Sequence, residues 1–243
     1  QKTAYEIYQC DWSSDVCSSD LLRNRMIADI KREVVGLSSA PCLATVLIGD
    51  DRPSLLYVRN KHKYAQLAGM KSRNETLPAN VSQQEAESLV DSLARDNSVS
   101  GILVQQPVPS HLDGEALLAL IPPEKDVDGL TTASMGALMR GIESLVPCTP
   151  LGVLRLLQHY GASLTGKRAV VIGRSSLVGL PLSVLLSRKG IDATVTLAHS
   201  RTANLSDVCR EADILVSATG QARSIRREHV KRSEEHTSEL QSH

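Results

Sequence analysis

A chain of 243 residues holds one large domain or two smaller ones, and a hydrophobic content of 42% is enough for a buried core. No apolar run reaches the roughly 18 residues of a membrane span. Phe is absent, so a core must rest on Leu, Val, Ile and Ala, and 27 basic residues stand against 27 acidic ones.

Both ends differ in character from the middle. Residues 1–21 are polar, with Trp12 and a Ser/Asp/Cys cluster, and 232–243 are polar too. The genetic code relates them. Cys17-Ser18-Ser19-Asp20-Leu21 can be written TGC TCT TCC GAT CT, whose reverse complement reads Arg232-Ser233-Glu234-Glu235-His236. The DNA resembles sequencing-library adapters, so 1–21 and 232–243 are set aside as adapter-derived and not native. The remainder carries a modest basic excess, too diffuse for nucleic acid and suited to a polyanionic small molecule. Cys42, Cys148 and Cys209 remain, widely spaced and odd in number. They form no disulfide framework and no metal-binding spacing, which points to a reducing, cytoplasmic setting.

In chain order, residues 22–37 have helical periodicity. Cys42–Ile48 (CLATVLI) is a short apolar run that reads as a buried strand. Gly49-Asp50-Asp51 is a turn, and Pro53 suits the first turn of a helix that reaches Ala68 and stops at Gly69. Residues 82–95 form a further helix, with Ser82 and Glu85 at capping-box spacing. A strand over 99–104 and a helix over 112–120, ended by Pro122-Pro123, follow. After Pro147-Cys148-Thr149-Pro150 a second unit begins, with a helix over 151–160 and a strand over 168–172 (RAVVI). Residues 173–179 form a glycine-bounded loop into a helix that runs through 186. A strand over 193–198, a helix over 205–209 and a strand over 214–218 complete the series. Strand and helix alternate throughout, so the predicted class is α/β with parallel sheets and two domains. The first, 22–146, is an N-terminal α/β catalytic domain cut short at its start. The second, 147–231, is a Rossmann-like nucleotide-binding domain that ends early.

The loop Gly173-Arg174-Ser175-Ser176-Leu177-Val178-Gly179 lies between a strand and a helix, the right context for a dinucleotide. Ser175 stands where the middle glycine of G-x-G-x-x-G would be, so an ordinary βα turn competes with a nucleotide site. The next strand ends in His199-Ser200-Arg201, without the acidic residue that an NAD ribose prefers. With Arg174, this set suits a 2′-phosphate, and the competing reading is a solvated arginine pair.

Five motifs occur in an order that carries a specific resemblance. They are Tyr57-Val58-Arg59-Asn60-Lys61, Gly101-Ile102-Leu103-Val104-Gln105, Lys125-Asp126-Val127-Asp128-Gly129, Pro147-Cys148-Thr149-Pro150 and Gly173-Arg174-Ser175-x-x-Val178-Gly179-x-Pro181. In these the insert resembles the bifunctional methylenetetrahydrofolate dehydrogenase/cyclohydrolase family. Gln106 departs from the family's usual Leu, and the family's Pro-Gly-Gly-Val-Gly-Pro segment is missing.

The resemblance implies an enzyme that oxidises 5,10-methylenetetrahydrofolate to the 5,10-methenyl form with NADP, NAD being the alternative, and hydrolyses that product to 10-formyltetrahydrofolate. It implies a folate-binding first domain, a homodimer, and no nucleic-acid or membrane partner. Tyr57 and Lys61, four apart, share one helix face. Lys61 corresponds to the catalytic lysine, which works near neutral pH only if its surroundings favour proton exchange. Gln105 corresponds to the glutamine that hydrogen-bonds it, Tyr57 to the residue that orients the folate, and Asp128 to the carboxylate that binds the pterin edge. Val104 joins them as a substrate contact. Gly173, Arg174, Ser175, Val178, Gly179, His199 and Ser200 would hold the cofactor. Taken singly, Lys61 is an exposed lysine beside His62 and Lys63, Tyr57 a core residue and Asp128 a turn former. A shikimate-type dehydrogenase would account for the Gly173 loop but not for Tyr57, Lys61 and Gln105 together. As translated, the chain is expected to be an inactive fragment of such an enzyme.

Overall fold

The structure, a computed structural model, describes residues 18–221 and 224–231. Of the ends set aside above, 1–17 and 232–243 therefore lie outside the described residues. Ser18 to Leu21 lie within them and open helix α1 (Ser18–Val35), with Asp20 paired to Arg23 at 2.8 Å.

The chain divides into two units between Cys148 and Thr149. In the first, β1 (Cys42–Ile48) lies at the centre of a parallel sheet ordered β2-β1-β3, with β2 (Lys71–Leu77) and β3 (Gly101–Val104). The apolar run of β1 and the four buried residues of β3 are what a parallel strand covered on both faces requires. Ala44, Val46, Ile102 and Val104 form a core with Ala86, Val90 and Leu93 of helix α3 (Gln83–Arg95) and with Leu117 of helix α4 (Gly114–Ala119). Each fully buried Leu or Val there contributes roughly 1.5–3 kcal/mol.

Helix α2 (Arg52–Leu67) starts where Asp51 accepts from Ser54 N at 3.0 Å, and α3 starts at the complete capping box of Ser82 and Glu85. Strand β2 and helix α5 (Thr132–Arg140) have no counterpart in the sequence reading. KSRNETL in β2 pairs on one side only and exposes most of its side chains, so it shows no apolar alternation. Helix α5 is short and is delimited by its ends, the Thr131 cap and Gly141 at φ 68. Strand β3 begins two residues later than expected. Val99 closes a turn onto Asp96 O instead, and Gly101 comes so close to Val127 that a Cβ would lie 2.3 Å from it.

In the second unit β4 (Arg168–Ile172) is central in a parallel sheet ordered β5-β4-β6, with β5 (Thr194–Ala198) and β6 (Ile214–Ser217). Helices α6 (Cys148–His159) and α7 (Gly179–Ser187) supply Leu154, Leu157, Leu182 and Leu186 to its core, and α8 (Leu205–Arg210) buries Cys209 against Val170 and Ile172. With β5 and β6 on opposite sides of β4, the chain changes direction at the C-terminal end of β4. Such a switch point is where ligands of open α/β sheets bind, and residue 173 opens the loop there.

Candidate active site

The first unit brings Lys61 and Asp128 together. Helix α2 turns Ser54, Val58 and Ala65 into the core. Tyr57 and Lys61 stand on the adjoining row, and Tyr57 is 63% exposed, free to offer its ring to a ligand. Lys61 Nζ lies 3.7 Å from Asp128 Oδ2, the two side chains being 32% and 22% exposed.

The segment that carries Asp128 is fastened on both sides. Lys125 Nζ donates to the carbonyls of Ala94 and Asp96, each at 2.8 Å, at the end of α3. Asp126 is 1% exposed, bridges to Ile102 of β3, and accepts from Leu130 N at 3.2 Å and Thr131 N at 2.8 Å. Gly129, at φ 63, passes so near Val146 that a Cβ would lie 2.6 Å from its carbonyl carbon. Asp126 is thus the structural carboxylate of the motif and Asp128 the presented one. Burial raises the Asp128 pKa above the ordinary carboxylate value, and the nearby Lys61 charge opposes that rise.

Gln105 follows β3, and the Ile102–Asp126 bridge runs the Asp128 segment alongside that strand. Its side chain does not make the expected hydrogen bond to Lys61. Its Nε2 donates to Gln106 O at 2.7 Å, and its Oε1 is a buried acceptor with no donor among the described residues. Lys61 is directed to Asp128 instead, because a carboxylate is the stronger partner for an ammonium. Val104 is 2% exposed and its side chain belongs to the core, so only its backbone is placed to serve a ligand.

Cys148 of the Pro147-Cys148-Thr149-Pro150 motif also stands beside this pair. Cys148 is an exposed residue, but its Sγ faces inward and donates to Val127 O at 3.5 Å, and its thiol pKa is pushed up to about 11 by desolvation and then by the Asp128 charge. The signal available in the sequence was its place in Pro147-Cys148-Thr149-Pro150, directly at the start of α6.

The second unit gathers the expected cofactor residues at one end of its sheet. Ile172 pairs with Ala198, and Gly173 N donates to Ala198 O at 2.8 Å, so the Gly173 loop and His199 are neighbours. A Cβ on Gly173 would lie 2.4 Å from Ala218 O, and one on Gly179 would lie 1.8 Å from Gly173 O. Glycine is therefore required at both positions for so close a turn. Ser175 Oγ accepts from Val178 N at 3.3 Å, which shows what the serine does in place of the middle glycine. Arg174, Ser175 and Ser200 are exposed, and His199 Nδ1 accepts from Arg201 N at 3.2 Å. A glycine cradle at a helix start, with cationic and hydroxyl side chains and no carboxylate at the end of β5, fits a phosphorylated dinucleotide.

Comparison with known proteins gives the family of both units. The family described as tetrahydrofolate dehydrogenase/cyclohydrolase, catalytic domain, matches residues 18–128, and its NAD(P)-binding domain matches 147–235. The bifunctional protein FolD 2 of Frankia alni is 51% identical over 211 residues, covering 85% of this chain and 73% of the relative. The bifunctional protein FolD of a Caulobacter species is 49% identical over 210 residues, covering 86% and 70%. Among solved structures, the FolD methylenetetrahydrofolate dehydrogenase/cyclohydrolase of Campylobacter jejuni superposes with a TM-score of 0.85 at 38% identity, over 88% of this chain and 77% of that one. The Trypanosoma brucei enzyme, solved with NADP and an inhibitor, superposes with a TM-score of 0.82 at 37% identity, over 87% and 73%. Among the described residues no helix is long and apolar enough to cross a membrane.

Proposed function

We propose, from the membership of this chain in the tetrahydrofolate dehydrogenase/cyclohydrolase family, how its own residues carry out the family's two reactions. The chain is a methylenetetrahydrofolate dehydrogenase and methenyltetrahydrofolate cyclohydrolase of one-carbon metabolism, and NADP is its cofactor. We assign the folate chemistry to residues 22–146 and cofactor binding to 147–231. We further propose that it works as a homodimer in the cytoplasm, as the resemblance implies.

The observation that carries the reading is the pairing of Lys61 with Asp128 at 3.7 Å beside the exposed Tyr57 ring. The Asp128 carboxylate accepts from the paired N–H groups of the pterin ring. The Tyr57 ring packs on the substrate, and the buried Gln105 Oε1 takes a donor that none of the described residues supplies. NADP, when bound, would supply the hydride acceptor for oxidation of the one-carbon bridge; the protein's part is alignment. Gly173, Arg174, Ser175, Val178 and Gly179 hold the cofactor together with His199 and Ser200. In the hydrolysis, water adds to the methenyl carbon and loses a proton. The hydroxyl so formed gives up its own proton as the bond from that carbon to N5 breaks, N5 takes a proton, and the carbon stays on N10 as a formyl group. Lys61 is the group that moves these protons.

Replacing Asp128 with Asn tests the substrate assignment. Asn keeps one acceptor oxygen but neither the charge nor the second acceptor, so folate binding should weaken about tenfold or more, the worth of one charged hydrogen bond. NADP binding should not change. Folate binding that survives Asp128→Asn undiminished would refute the assignment.

A further inference from the structure

The buried row of α2 runs Ser54, Val58, position 62 and Ala65, the spacing of a helix face turned to a sheet. Position 62 is not aliphatic: it is a half-buried histidine. His62 Nε2 lies 2.8 Å from Thr45 Oγ1, and Thr45 is fully buried on the central strand β1. Thr45 Oγ1 donates to Asn74 Oδ1 at 3.0 Å, on the strand position paired with it in β2. Asn74 Nδ2 in turn donates to Thr76 Oγ1 at 3.2 Å.

The directions of this series follow from the orientation of the Asn74 amide. A hydroxyl has one proton. Since Thr45 gives its proton to Asn74, it can only accept from His62, so His62 must carry hydrogen on Nε2. The result is a directional anchor from α2 across β1 to the edge strand.

We propose that His62 is a positioning residue: through Thr45 and Asn74 it sets the rotation of α2 about its own axis and thereby holds Lys61 against Asp128. The inference rests on the reading of Lys61 and Asp128 as the working pair. Apolar packing of Val58 and Ala65 is non-directional, whereas a hydrogen bond is directional. The Lys61 ammonium sits at the end of an arm of about 8 Å from the helix axis, so rotation by about 20° carries it about 3 Å. That is enough to lose a contact of 3.7 Å. Displacements of about 1 Å already cost about a hundredfold in positioned reactions.

The test uses the chain itself and needs no turnover. The Asp128 carboxyl is titrated by carbon NMR in the parent and in Lys61→Met, His62→Leu, Thr45→Val and His62→Gln, and the neutral His62 ring is read by nitrogen NMR. Lys61 lowers the Asp128 midpoint. The proposal therefore expects His62→Leu and Thr45→Val each to move that midpoint upward, toward the Lys61→Met value. His62→Gln, which keeps a donor, should return it toward the parent, and the neutral ring should be Nε2-protonated. A change that merely loosened packing would leave the midpoint in place. A parent-like Asp128 titration in either His62→Leu or Thr45→Val, or an Nδ1-protonated neutral ring, overturns the proposal. An unmoved midpoint in Lys61→Met would instead refute the Lys61–Asp128 pairing itself.

Discussion

Replacing Gly179 with Ala puts a single methyl group where the nucleotide loop has no space. The new Cβ would lie 1.8 Å from Gly173 O, 2.5 Å from Gly173 C and 3.1 Å from Arg174 N. All three are backbone atoms, so no side chain can swing aside. Comfortable non-bonded contact begins near 3.5 Å, so helix α7 and the loop must separate by about 1.5 Å. Overpacking of this kind costs about 1–3 kcal/mol. At about 2–4 °C per kcal/mol for a chain of this size, Tm should fall by roughly 2–12 °C. The same displacement moves the loop amides away from the phosphates, so NADP affinity should fall about tenfold or more, or about 1.4 kcal/mol. Thermal melts and calorimetric titration with NADP measure both effects. Gly152→Ala is the control. It lies inside α6 with nothing within 4 Å of its Cβ position, and should stabilise the chain by about 0.5–1 kcal/mol. Parent-like Tm and NADP affinity in Gly179→Ala would refute the close-packing account of the loop.

Two further outcomes follow from the sites. Arg174→Ala should remove the preference for NADP over NAD, a loss of about tenfold for one charged hydrogen bond to the 2′-phosphate, measured by titration of both cofactors; an undiminished preference would place the phosphate elsewhere. The Cys148 thiol, pushed up to about 11 by desolvation and the Asp128 charge, should be alkylated slowly at pH 8. Its rate should rise about tenfold per pH unit up to pH 11, as the thiolate forms. Peptide mapping by mass spectrometry measures this, and fast reaction at neutral pH would contradict the raised thiol pKa.

The α/β class and most element positions were legible because buried parallel strands are apolar runs and because helix starts carry chemical marks. CLATVLI, RAVVI and the Ser82–Glu85 box are instances, and each appears where the residues indicate. Strand β2 was illegible because an edge strand needs no apolar period when its exposed side chains meet water. Helix α5 was missed because a helix of nine residues shows little periodicity.

In the site, the i, i+4 placement of Tyr57 and Lys61 was readable from helix geometry, and the proximity of Asp128 came only through the resemblance. What could not be read is the choice of hydrogen-bond partner. Gln105 turns its amide to its neighbour's carbonyl, and Lys61 turns to Asp128, a competition decided by distances that no spacing encodes. The Thr45–Asn74 contact was hidden for the same reason. It depends on a strand register between β1 and β2, and β2 itself was invisible in the sequence.

The central claim is that Lys61 moves the protons of the hydrolysis and has no part in holding the cofactor. The direct measurement is hydrolysis of 5,10-methenyltetrahydrofolate by the Lys61→Met variant, alongside NADP binding by the same sample. It is best made on the chain extended with the parts of the Frankia alni relative that it does not match. The account predicts hydrolysis reduced at least a hundredfold, the lower end of the roughly 10²–10⁴-fold that general acid–base groups supply, with NADP affinity at the parent value. Hydrolysis within a few-fold of the parent, in a variant that still binds NADP, would contradict it.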